Sequence, residues 1–130
     1  MGSFSDYLEN ELLDHVFKTG SFSAPTNIYV ALFVGSPLDT GAGGAEVSTN
    51  NYSRVLHEAW DAASSGATEN TGTITFPTAS GSWGTVDYFA IFDASLEGNM
   101  LAWGQLTASK TVGDGDVVQF ADGAIDVTLD

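Results

Sequence analysis

The chain contains no cysteine and only three Lys and Arg among 130 residues. Without cysteine there is no disulfide and no thiolate metal site, and the redox compartment is left open. The three basic residues face 17 Asp and Glu, for a net charge of −14. A phosphate backbone would be repelled, so nucleic acid is excluded as a partner, and anionic membrane surfaces are disfavoured for the same reason. No apolar run approaches the length of a membrane span. The opening MGSFSDYLENELL carries acids where a signal peptide needs a basic start and an unbroken apolar core, so no secretion signal is expected. There is also no internal repeat, heptad or collagen-like triplet from which a shaft could be built.

What is present is a folded domain. The acids are scattered, and 43% of the chain is hydrophobic, which is not the composition of a disordered acidic tail. A single domain over residues 1–130 is expected, burying roughly two thirds of its unfolded surface. From Thr73 to Leu129, apolar runs of strand length alternate with turn residues. The central pair, Val86–Phe92 and Met100–Leu106, is apolar at nearly every position. Strict alternation puts Val86, Tyr88, Ala90 and Phe92 on one side and Phe89 and Ile91 on the other. A strand apolar on both sides is covered on both sides, so this hairpin should be the middle of the packed structure. Gly98 and Asn99 can reverse the chain between its strands.

The remaining segments fit around that hairpin. Ser3–Phe17 reads as an amphipathic helix, extending to about residue 18, with Ser3 or Ser5 as cap and Leu8, Leu12 and Val16 repeating every four residues. Leu13 and Phe17 widen its apolar stripe, and Gly20 suits the position past its end. Asn27–Val34 and Tyr52–Trp60 read as strands, Gly35–Ala45 as a glycine-rich loop, and Asp61–Asn70 as a polar loop. Short strands with frequent Gly and Asp turns predict a mainly β fold. The expected form is an antiparallel, jelly-roll-like β-sandwich over residues 25–130 with one N-terminal amphipathic α-helix.

Candidate chemistry is sparse. His57-Glu58 starts like a zincin motif, but Asp61 stands where the second histidine belongs. Asp114 and Asp116 could offer carboxylates to a hard cation, yet the pattern lacks the further ligands of an EF-hand and suits a hairpin turn. No catalytic residues, metal site or cofactor are therefore assigned. Most of the aromatics are expected in the core. Trp83, in the loop GSWG, is the exception that could plug the end of the sandwich or meet a neighbouring chain. Leu8, Leu12 and Val16 are the other candidate interface residues, if the helix is lent to a partner.

The segments FSDYLENELLDHVF, NIYVALFV and ITFPTASGSWGTVDYFAIFDA, with the tail from GNMLAWGQL to the end, resemble small virion proteins of tailed bacteriophages. Relatives of this layout are tail-fibre or minor structural proteins. The resemblance implies a non-enzymatic structural role in a phage particle, on the outer surface of head or tail. Its implied partners are copies of itself and the major capsid or tail proteins. The favoured role is an external capsid decoration (cement) subunit assembling symmetrically, with weak contacts adding as avidity. The alternatives are a tail-fibre or tail-tip module facing a host receptor and, in another class, a carbohydrate-binding or hydrolytic domain using Trp83.

Overall fold

The computed structural model describes residues 2–129. In chain order its elements are β1 (Gly2–Phe4), α1 (Asp6–Phe17), β2 (Tyr29–Val34), β3 (Ala45–Glu46), β4 (Val55–Leu56), β5 (Ala67–Glu69), β6 (Ile74–Thr75), β7 (Gly84–Phe92), β8 (Met100–Val112), β9 (Gln119–Phe120) and β10 (Asp126–Thr128). The main sheet runs β3-β2-β7-β8-β1-β10-β5, with β4 also paired to β2, while β6 and β9 form a separate ribbon. The hairpin β7–β8 is at the centre of the sheet, as its two apolar sides require. All pairings are antiparallel except β1 with β10. The fold is mainly β and layered, with one helix.

Cross-strand register explains the main core. Val30, Ile91, Ala102 and Phe4 follow one another across β2, β7, β8 and β1, and Leu32, Phe89, Gly104 and Gly2 form the next row. On this face the ribbon closes the sandwich, with Ile74, Phe76, Val118 and Phe120 packed into the same cluster. Phe120 meets Phe89 and Phe76 edge-on, at 6.4 and 6.2 Å between ring centres. The Phe89 ring lies so close to Gly2 that a Cβ there would stand 2.9 Å from its Cζ. The opposite face carries Ala31, Phe33, Ala90, Phe92 and Met100, all buried. These central strands are covered within the chain.

Several sequence expectations shift by local causes. The helix starts at Asp6, not Ser3, because Gly2–Phe4 is drawn into the sheet between β8 and β10. Strict alternation fails at Val86. The register slips between Val86 and Tyr88, setting Asp87 against the four residues 106–109 of β8. That irregularity turns Val86 into the same cluster as Phe89 and Ile91. In the 93–99 turn, Glu97 and Gly98 take positive φ, and Asn99 does not. Asn99 instead donates to the Asp93 carboxylate from its backbone and its side chain, at 2.7 and 2.9 Å.

The expected strand Tyr52–Trp60 reduces to Val55–Leu56. The outer edge of β2 is shared: β4 pairs with Tyr29 and Val30, and β3 with Phe33 and Val34. Between them the Leu32 N–H donates to the Tyr52 hydroxyl at 3.1 Å, and the Leu32 carbonyl accepts from Val47 N at 3.1 Å. A phenol thus stands where a longer strand would have supplied a carbonyl.

Candidate functional site

The candidate interface residues of the sequence fall mainly on α1, whose end leaves apolar side chains exposed. Ser5 caps the helix: its Oγ accepts from Leu8 N at 3.3 Å and donates to the Met100 carbonyl. Asp6 and Glu9 lie in the first turn, where the helix dipole favours negative charge. At the far end the Asp14 carbonyl accepts from both Lys18 N and Gly20 N, at 3.0 and 2.8 Å. Thr19, not Gly20, takes the positive φ, at 56°. Gly20 is needed for room, since a Cβ would stand 3.0 Å from the Asp14 carbonyl.

Only the start of the helix rests on the body of the protein. It touches β1 and β8, and Tyr7 and Leu8 pack against the main core. Leu12 is half-buried. Beyond it the apolar stripe leaves the sheet: Leu13 is 56%, Val16 67% and Phe17 81% exposed. The three candidates on the helix therefore separate. Leu8 belongs to the core, Leu12 to its margin, and Val16 to the free surface.

Beside the root of the helix is a shallow, open apolar recess of about 150 Å³, called the socket below, lined by Phe4, Leu8, Ile28, Trp60, Ile91 and Val127 among others. The Trp60 indole N–H donates to the His57 carbonyl at 2.9 Å, which fixes the ring as one wall. His57 packs edge-on against that ring and bonds the Thr71 carbonyl through Nε2 at 3.0 Å. This pair is structural in the fold. Sequence reasoning placed Phe4 inside the helix and Ile28 and Trp60 on separate strands; nothing in their spacing joins them.

Of the two expectations for Trp83, burial agrees with the plug and not with the contact. Trp83 is 5% exposed, packs edge-on against Tyr52 at 5.4 Å, and donates from Nε1 to the Asn50 carbonyl at 2.9 Å. It has no free ring to offer a neighbouring chain or a sugar. Asp116 serves its own turn, its Oδ2 accepting from Gly113 N at 2.8 Å, while Asp114 is exposed beside it. Among the described residues no three His, Asp or Glu side chains gather as a metal would require. No buried side-chain polar atom among them is left without a partner, so the interior presents no unpaired group to a ligand.

The profile described as "Podophage GP4 fiber I protein gp80" matches residues 3–128. A comparison with curated proteins gives no match. The matched segment takes in α1, both layers of the sandwich and the socket, and the chain therefore belongs to the podophage GP4 fiber I protein (gp80) family, a family of small tailed-phage structural proteins.

Proposed function

We propose that the chain is a globular module of a phage fibre, carried on the outside of the particle and working by protein contacts. The family match over residues 3–128 carries this reading. The geometry agrees with it. The central strands of the β body are covered within the chain, and the last turns of the helix leave three large apolar side chains, Leu13, Val16 and Phe17, exposed together. Such a helix is an attachment element. The charge of −14 keeps the module soluble at high local density and away from packaged DNA. No catalytic step forms part of this role.

The capsid-decoration reading shares the external position and the acidic surface. It differs in place and number. Quantitative mass spectrometry of purified particles, with antibody labelling viewed by electron microscopy, separates the two. A fibre module is expected at the tail in small copy number. Hundreds of copies distributed over the head would replace the fibre reading with decoration, and absence from the particle would remove both.

A further inference from the structure

Phe17 is the only aromatic residue in the exposed class among those described, at 81%. The socket beside Leu8 is apolar on every lining residue and holds about 150 Å³. The recess is shallow and largely open, so an aromatic ring can lie with one face against it. We infer that the Phe17 ring of one copy seats in the socket of a second copy of this chain, joining protomers head to tail.

Two further observations select a second copy as the occupant. The first is charge. Lys18, one of only three Lys and Arg in the chain, directly follows Phe17, while the exposed acids Glu58 and Asp61 lie two residues before and one after Trp60, a lining residue of the recess. Insertion of Phe17 brings the cation toward those carboxylates and relieves locally the repulsion between two acidic molecules. The second is direction. Leu8 and Phe17 are nine residues apart, about half a turn around the helix and about 13.5 Å along it. The ring and the socket thus belong to different sides of one protomer. A contact between unlike surfaces is heterologous, so it repeats from copy to copy and ends in a ring or a filament. Leu13 and Val16, 56% and 67% exposed, widen the same contact.

The inference names a partner for the fibre reading and rests on it only for its biological setting. The test is sedimentation and light scattering of the purified full-length chain over a concentration series. The wild type should grow past a dimer, Phe17→Asp should stay monomeric, and Ile28→Glu, placed in the socket wall, should do the same. Mixing the two variants should give a one-to-one pair and nothing larger, because one retains the socket and the other the ring. If Ile28→Glu is unfolded by circular dichroism, Trp60 provides the second readout. Indole emission should shift to the blue with concentration in the wild type and stay constant in Phe17→Asp. A wild type that is monomeric at its highest soluble concentration, or that stops at a two-fold dimer, overturns the inference. So does an assembly that survives Phe17→Asp, or a monomer that binds only another virion protein through Phe17. Particle localisation is unaffected by these outcomes, so the fibre reading stands or falls separately.

Discussion

Arg54 is drawn into the body of the protein, while Lys18 and Lys110 remain exposed. Its Nε and Nη2 grip the two Glu46 carboxylate oxygens at 2.8 Å each, and its Nη1 donates to the Ala94 and Glu97 carbonyls, also at 2.8 Å. The guanidinium lies 3.7 Å from the centre of the Phe92 ring. One side chain thus ties β3, the 93–99 turn and the second face of the sheet together. Tyr52 joins the knot, donating to Glu46 Oε2 at 2.8 Å. Burial, reinforced by the Glu46 charge, pushes the Tyr52 phenol far above its usual 10.0. The folded protein therefore keeps this proton at pH values where the unfolded chain releases it. Stability from this group is intact below about pH 10 and is expected to fall above it, by about 1.4 kcal/mol per pH unit. Tyr52→Phe should lower stability by about 1 kcal/mol at neutral pH through the lost hydroxyl bonds, and flatten the alkaline decline. Denaturant unfolding at a series of pH values checks both.

Asn70 is a second residue of this kind, and nothing around it in the sequence singles it out. It is 1% exposed at the end of an apparently ordinary polar loop. Its Oδ1 accepts from Ile125 N at 2.8 Å, and its Nδ2 donates to the Gly72 and Ala121 carbonyls at 2.7 and 3.0 Å. Asn70→Leu should cost about 3 kcal/mol, since it strips the Ile125 N–H and the Gly72 carbonyl of their partner, while the Ala121 carbonyl keeps its bond from Ala124 N. A shift in the urea midpoint with an unchanged slope would register that loss. A change below about 1 kcal/mol would mean that water replaces the amide.

At the scale of elements, α1 depends on its first turn. None of its residues is fully buried, and the cap Ser5, at 1% exposure, is the most enclosed point of attachment. Ser5→Ala removes the acceptor for Leu8 N and the donor to the Met100 carbonyl. It should destabilise the chain by about 1–2 kcal/mol and fray the helix before the sheet. Hydrogen exchange resolved along the chain is the measurement: Leu8 and Glu9 amides should lose protection while β7 and β8 keep theirs. The helix itself was readable from its leucine spacing and its cap. Its start was not, because Gly2–Phe4 carries no strand signal of its own and pairs only when β8 and β10 are in place. The ribbon differs: short apolar runs around both β6 and β9 were readable, and only their pairing with each other was not.

At the scale of the whole molecule, size scaling gives about 6,500 Å² of surface for a chain of this mass, and the structure exposes 7,112 Å². Net charge acts at this scale too. With 17 acids against three bases, self-repulsion opposes the compact state. Raising the ionic strength from about 0.01 to 0.15 M shortens the screening length from about 30 to 8 Å, so the thermal midpoint should rise. Differential scanning calorimetry across that range would show the trend, and a flat response would mean that the carboxylates are too far apart to matter.

Composition and alternation alone were enough to give a mainly β chain built on the β7–β8 hairpin, one capped helix, and a large excess of negative charge. These follow from local rules: side-chain period, turn residues and charge count act over a few positions or over the sum. Whether the apolar stripe of α1 is covered, and that Phe4, Ile28, Trp60 and Val127 converge on one socket, came only with folding in three dimensions. Contacts between residues up to 123 positions apart are set by strand order and register, and no local pattern encodes them. Trp83 shows the limit most plainly: a tryptophan between glycines in a loop looks free, and the Tyr52 ring and the Asn50 carbonyl that enclose it are more than 30 residues away.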